Sequence, residues 1–299
     1  MVHSAPAVTS PGTRPLSLAA SGGVRLQACV ADGVSPGLLL AHGFGQTSQA
    51  WLGTQRRLAE SGRASLAWDL RGHGQSGRNP ADQPYRGEQF VDDVVLAAAA
   101  LGAAPVLVGA SMGGLTGLMA QARHRVFSAL VLVDITPRWE ASGVERILGF
   151  MTAHPDGFES FEHAAEEIAA YLPHRRQRKS PAQLAHLLKP REDGRLGWHW
   201  DPRLLAEFIP STGDLQGAIE DACRGLDVPV LLVSGGRSDL VSDQTVGHFL
   251  ELAPHAHHVR LPDATHMVAG DDNDAFTDTL LEFLSTLAAP HAATHGESS

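Results

Sequence analysis

The pentapeptide Gly109-Ala110-Ser111-Met112-Gly113 follows directly on the apolar run Pro105-Val106-Leu107-Val108 and precedes a stretch of helical length. A Gly-x-Ser-x-Gly pattern in that position demands a sharp turn from a buried strand into a helix. The serine at the apex has to adopt a strained backbone. The residues two places away on each side have to be small, because strand and helix pack close there. Glycine at 109 and 113 meets that demand, and the turn lifts the Ser111 hydroxyl above the sheet, where a histidine can reach it. Ser111 is the candidate nucleophile.

The rest of the chain suits such a turn. Apolar runs at 24–30, 37–41, 64–68, 106–109, 129–133, 228–234 and 257–261 read as strands. Segments 49–61, 89–101, 112–124, 245–253 and 275–287 have helical length and period. Strands alternating with helices imply a parallel sheet covered on both faces. The alternation breaks between about 137 and 222, a stretch with helix-like patterning that contains Trp139, Trp198 and Trp200. A helical insertion between two strands is expected to form a cap over the strand ends, where ligands bind. The expected organisation is a core at 15–136 and 223–288, a cap at 137–222, and flexible termini at 1–14 and 289–299.

Composition narrows the class. In 299 residues, 43% are hydrophobic, enough for a sizeable core, and the net charge of −10 argues against non-specific nucleic-acid binding. Cys29 and Cys223 make no disulfide framework and read as free thiols in a reducing compartment. The Ser/Pro/Thr-rich start lacks an apolar signal segment, and no apolar run reaches the ~18 residues a membrane helix needs. The expectation is a cytoplasmic protein with neither a membrane nor a nucleic-acid partner.

Serine-based acyl transfer needs a base, an acid that orients it, and donors for the oxyanion. In Leu261-Pro262-Asp263-Ala264-Thr265-His266, the histidine sits in the loop between the last strand and the last helix, so His266 is the expected base. The acid is expected at the end of an earlier strand. Asp239, after Gly236-Arg237-Ser238, is the first choice, and Asp134, at the end of 129–133, is the rival. The order Ser111, Asp239, His266 is nucleophile, acid, base. Two backbone N–H groups should form the oxyanion hole. Met112 supplies one at a helix N-terminus, and Phe44, in the turn His42-Gly43-Phe44-Gly45, supplies the other. His42 reads as structural.

These motifs, with the turn Asp69-Leu70-Arg71-Gly72-His73-Gly74-Gln75-Ser76, resemble the α/β-hydrolase superfamily over roughly residues 15–288. Within it the chain is similar to the capped serine-esterase and cofactor-free haloperoxidase-like branch. The resemblance implies an α/β-hydrolase fold: a mostly parallel eight-stranded sheet, helices on both faces, and a helical cap inserted after the sixth strand. It also implies that the 69–76 turn is structural, with Asp69 and Arg71 bracing loops near the nucleophile. Members that open epoxides or remove halides attack with aspartate, so a serine points to acyl transfer without a cofactor or metal.

The expected substrate is a small-molecule carboxylic ester with a small to medium acyl group. A thioester, a vinylogous C–C bond or perhydrolysis on the same triad stays open, as does a non-catalytic ligand-binding role. Trp139, Phe150, Trp198 and Trp200 are the candidate pocket residues from the cap, with Phe208 among further aromatics that could join them or pack inside it. The basic run Arg175-Arg176-Gln177-Arg178-Lys179 reads as a solvated face or, alternatively, as a site for an anionic substrate tail.

Overall fold

The computed structural model describes residues 12–171, 180–207, 216–266, 268 and 274–288. The run 175–179 and Phe208 lie outside the described residues.

The strands are β1 (Thr13–Ala19), β2 (Arg25–Ala31), β3 (Val34–Ala41), β4 (Arg63–Trp68), β5 (Val106–Ala110), β6 (Ala129–Val133), β7 (Leu188–Pro190), β8 (Leu196–Trp198), β9 (Val230–Gly235) and β10 (His257–Leu261). The helices are α1 (Leu52–Glu60), α2 (Gly87–Ala99), α3 (Met112–His124), α4 (Ala141–Thr152), α5 (Phe161–Tyr171), α6 (Pro181–Leu184), α7 (Arg203–Glu207), α8 (Gln216–Arg224), α9 (Asp243–Leu252) and α10 (Asp274–Ala288). Eight strands form one sheet in the order β1-β2-β4-β3-β5-β6-β9-β10. The pairs β1–β2 and β2–β4 are antiparallel and the remaining pairs are parallel, giving the mostly parallel eight-stranded sheet that was expected.

Side-chain alternation along the central strands builds two apolar layers. Leu39, Ala41, Leu107, Leu130, Leu132 and Leu232 face one side, in a core that includes Phe90 and Val94 of α2, Leu118 of α3 and Phe249 of α9. Leu38, Leu40, Val106, Val108, Val131 and Val233 face the other, with Trp51, Leu58 of α1, and Phe276 and Leu280 of α10. Burial on both faces explains why these strands read as unbroken apolar runs.

Residues alone did not reveal β1. It pairs with β2 at the sheet edge and buries none of its side chains fully, so it lacks the apolar signature of the inner strands.

The insertion between β6 and β9 carries α4 to α8 and the hairpin β7–β8. Part of it has its own small core, built on Phe158, Ile168, Leu184, Leu188 and Leu196. Helix α8 instead packs on α3 and α9, so the expected boundary at 222 falls inside a helix that covers the sheet.

Candidate active site

Ser111 joins β5 to α3 with φ 48° and ψ −118°, a left-handed strain that L-residues rarely carry. Its neighbours show why glycine stands where it does. A Cβ on Gly109 would lie 2.6 Å from Gly114 Cα, and one on Gly113 would lie 2.5 Å from the carbonyl oxygen of Ala41. Both obstacles are backbone, so strand and helix can meet this closely only without side chains. Met112 opens α3, where first-turn N–H groups lack intrahelical partners and the helix dipole favours negative charge.

The loop after β3 runs directly beside the nucleophile: a Cβ on Gly43 would stand 3.2 Å from Ser111 Cβ. Phe44, the other expected oxyanion donor, follows it. This loop is held by three buried histidines. His42 donates from Nδ1 to the Gly43 carbonyl at 2.8 Å and accepts the Leu70 N–H at Nε2, at 2.9 Å. His73 donates to the Arg71 carbonyl at 3.1 Å and packs edge-on against Phe44, with ring centroids 5.4 Å apart. His199, from the insertion, accepts the Gly74 N–H at 2.7 Å and donates to the Gly45 carbonyl at 3.1 Å. Burial pushes His42 down to about 4 and His73 down to about 3, the latter also through the neighbouring His42. Burial, with the neighbouring His73, likewise holds His199 well below its ordinary value. All three act as neutral hydrogen-bonding rings.

The 69–76 turn is structural, as expected. Arg71 is wholly buried and pairs with both carboxylate oxygens of Asp93, at 2.9 and 2.7 Å. Asp69 accepts the N–H groups of Ser48 and Gln75, each at 2.7 Å.

His266 stands in the loop after β10, and its Nδ1 lies 2.7 Å from Oδ2 of Asp134. Asp134 follows β6 with φ 49° and is fully buried. Its other oxygen accepts the Gly235 N–H at 2.8 Å, and Oδ2 also accepts the Ser238 hydroxyl at 2.5 Å. This corrects the first choice of acid. Asp239 lies beyond the β9 end, and its carboxylate accepts from Arg146 at 2.8 Å on a partly exposed surface. The loop that carries Asp239 still contributes, through Gly235 and Ser238, the donors that hold Asp134. The sequence signal for Asp134 was its direct attachment to the apolar run 129–133, whereas Gly236-Arg237-Ser238 separates Asp239 from its strand.

A cavity of about 180 Å³ includes Ser111 in its lining, together with Phe44, Met112 and Ile135. Of the four aromatic residues expected to line the pocket, Trp139 does so. Phe150, Trp198 and Trp200 do not. Phe150 stacks on Tyr171 at 4.2 Å and meets Trp198 edge-on at 5.7 Å. Trp200 is buried behind Phe44, with ring centroids 5.2 Å apart, and lies nearly parallel to Trp198. Trp198-His199-Trp200-Asp201 is thus an anchor for the insertion. Tyr85 donates its hydroxyl to Asp201 at 2.9 Å, and the Asp201 N–H donates to Gly72 at 2.8 Å.

The model of the alpha/beta hydrolase family matches residues 38–279. The chain belongs to that family. This α/β hydrolase is 32% identical over 245 residues to a 3-hydroxybutyrate-oligomer hydrolase of Cupriavidus necator, covering 77% of this chain and 82% of the relative. It is 29% identical over 263 residues to an esterase of Mycobacterium tuberculosis, covering 85% and 84% of the two chains. The solved structure of that mycobacterial esterase superposes with a TM-score of 0.70 at 25% identity, over 93% of this chain and 94% of the other. The fold also matches an E-2-(acetamidomethylene)succinate hydrolase, with a TM-score of 0.76 at 23% identity over 91% and 100% of the chains. Among the described residues, no helix is long and apolar enough to cross a membrane.

Proposed function

We propose that this α/β hydrolase cleaves carboxylic esters of small-molecule substrates through an acyl-enzyme on Ser111, with the part of the insertion that carries α4 to α7 and the hairpin β7–β8 acting as a cap over the site. The observation that carries the reading is the contact of His266 with the buried carboxylate of Asp134, which follows β6 as the strained serine follows the paired parallel strand β5. The mycobacterial relative, named an esterase, and the relative named for hydrolysis of 3-hydroxybutyrate oligomers support the same chemistry.

Ser111 Oγ attacks the ester carbonyl while His266 Nε2 takes its proton. Asp134 accepts the Nδ1–H and stabilises the imidazolium. The N–H groups of Phe44 and Met112 receive the oxyanion. Collapse breaks the bond to the alcohol oxygen, which leaves with the proton from His266. Water, deprotonated by the same imidazole, then attacks the acyl carbon and frees the acid and Ser111. The thioester alternative drew on the run 175–179, which lies outside the described residues, so no observation favours it over the ester.

The test is Ser111→Ala against p-nitrophenyl butyrate, with fluorophosphonate labelling of the unmodified protein. Turnover should fall by at least about a thousandfold, with circular dichroism unchanged and the label on Ser111 of the unmodified protein. Unchanged turnover in the variant would sink the reading, and a folded protein that refuses the label would point to a binding role.

A further inference from the structure

We propose that the cavity at Ser111 is a channel for the acyl half of the substrate, shaped for linear chains of roughly eight to ten carbons, and that Met119 sets its length. The proposal rests on the esterase reading above and names the substrate class for that site.

The channel's direction follows from helix geometry. Ser111, Met112, Leu115, Thr116 and Met119 all line it, and on α3 these positions form one continuous face. The cavity therefore runs along the helix axis. At a rise of ~1.5 Å per residue, the wall from Ser111 to Met119 is about 12 Å long. A saturated chain built from C–C bonds of about 1.5 Å advances roughly 1.25 Å per carbon, so that wall accommodates about ten carbons. The facing wall comes from α4, where Val144, Ile147 and Leu148 share one helix face. The charged side chains of the lining, Glu88 and Arg123, are exposed to solvent. The interior between the two helices thus offers apolar contacts, which suit an unbranched hydrocarbon.

The position of the base decides which half of the ester enters. Ser111, Met112 and Phe44 line the cavity; His266 does not. The alcohol oxygen must leave toward the imidazole that protonates it, and water must then arrive from that side. The group that stays on Ser111 through both events is the acyl group, and the channel is the space behind it.

Met119 is half-buried, one helical turn before Arg123. An unbranched thioether there narrows the channel one turn before the lining reaches solvent at Arg123, yet adapts to the chain it meets. The channel predicts that kcat/KM for p-nitrophenyl esters climbs by up to about fourfold per added carbon, as each buried methylene contributes, and levels off near decanoate. Met119→Trp should lower the ratio of kcat/KM on decanoate to that on acetate by at least about tenfold. Met119→Ala, which adds space and leaves the fold less burdened, should move the optimum to longer chains. Acetate esters of straight-chain alcohols of rising length should show a flat profile. A wild-type optimum at acetate, an optimum unmoved in both variants, or a rise with the alcohol instead of the acyl chain would each overturn the channel. Labelling of Ser111 with a flat acyl profile defeats the channel alone. Absence of labelling and of all ester turnover defeats the esterase reading beneath it.

Discussion

His266 Nδ1 and Asp134 Oδ2 stand 2.7 Å apart, which ties the loop after β10 to the end of β6, the strand that pairs with the one bearing Ser111. The carboxylate is buried and accepts two further hydrogen bonds, from the Gly235 N–H and the Ser238 hydroxyl. Such a carboxylate holds its position and presents a fixed acceptor to the imidazole.

The two candidate acids can be separated by substitution. Asp134→Asn should lower kcat on p-nitrophenyl butyrate by about 10³- to 10⁴-fold, because the amide favours the wrong imidazole tautomer. Asp239→Asn weakens a partly exposed pair with Arg146, so kcat should stay within about threefold and stability within about 1 kcal/mol. The reverse ranking would return the role to Asp239.

His199 links the insertion to the loop that carries Phe44, through the Gly45 carbonyl. In His199→Leu that link is lost, and kcat should fall by about tenfold to a hundredfold with KM little changed, as a small displacement of an oxyanion donor would cause. The side-chain N–H of Gln reaches as far as Nε2, whereas Asn retains only an acceptor near Gly74. His199→Gln should therefore recover most of kcat and His199→Asn should not. Equal losses in both would show that the residue only supports the fold.

The buried histidines also set a pH limit on stability. Their folded values lie below the ordinary 6.5, at about 4 for His42 and about 3 for His73. The unfolded chain therefore binds protons first as pH falls. Stability from this source is complete above about pH 6.5 and declines from there toward pH 4, by about 1.4 kcal/mol per pH unit for each ring that stays neutral. Urea midpoints measured from pH 7.5 to 4.5 should fall steeply below pH 6. A flat profile would show that the rings titrate normally in the folded protein.

Arg71 and Asp93 form a buried pair, and burial acts to raise the Asp93 carboxyl while Arg71 holds it down. Removing the cation alone strands that carboxylate, so Arg71→Met should cost about 3–5 kcal/mol in urea unfolding. Adding Asp93→Leu to that variant should return part of the loss. The Arg71 guanidinium bonds to Asp93, Ser21 and Asn79, none of them in the proposed triad, so protein that remains folded should keep its kcat within about tenfold.

Legibility followed the range of each signal. The turn at Ser111, the helix over 112–124 and the strand over 129–133 depend on residues close in sequence, and all were readable. Strand β1 was not, because an edge strand with no fully buried face carries little apolar pattern. Neither was the split among the aromatics of the insertion. Trp139 and Phe150 are equally apolar, and their burial partners come from distant segments.

By itself the sequence determined the sheet-and-helix class, the strained serine between glycines and the loop histidine, since each follows from local sterics and periodicity. Tertiary structure alone decided which aspartate meets that histidine and which helices face each other across the cavity. Those outcomes depend on which strand ends lie side by side and how deeply each carboxylate is enclosed, and spacing along the chain encodes neither.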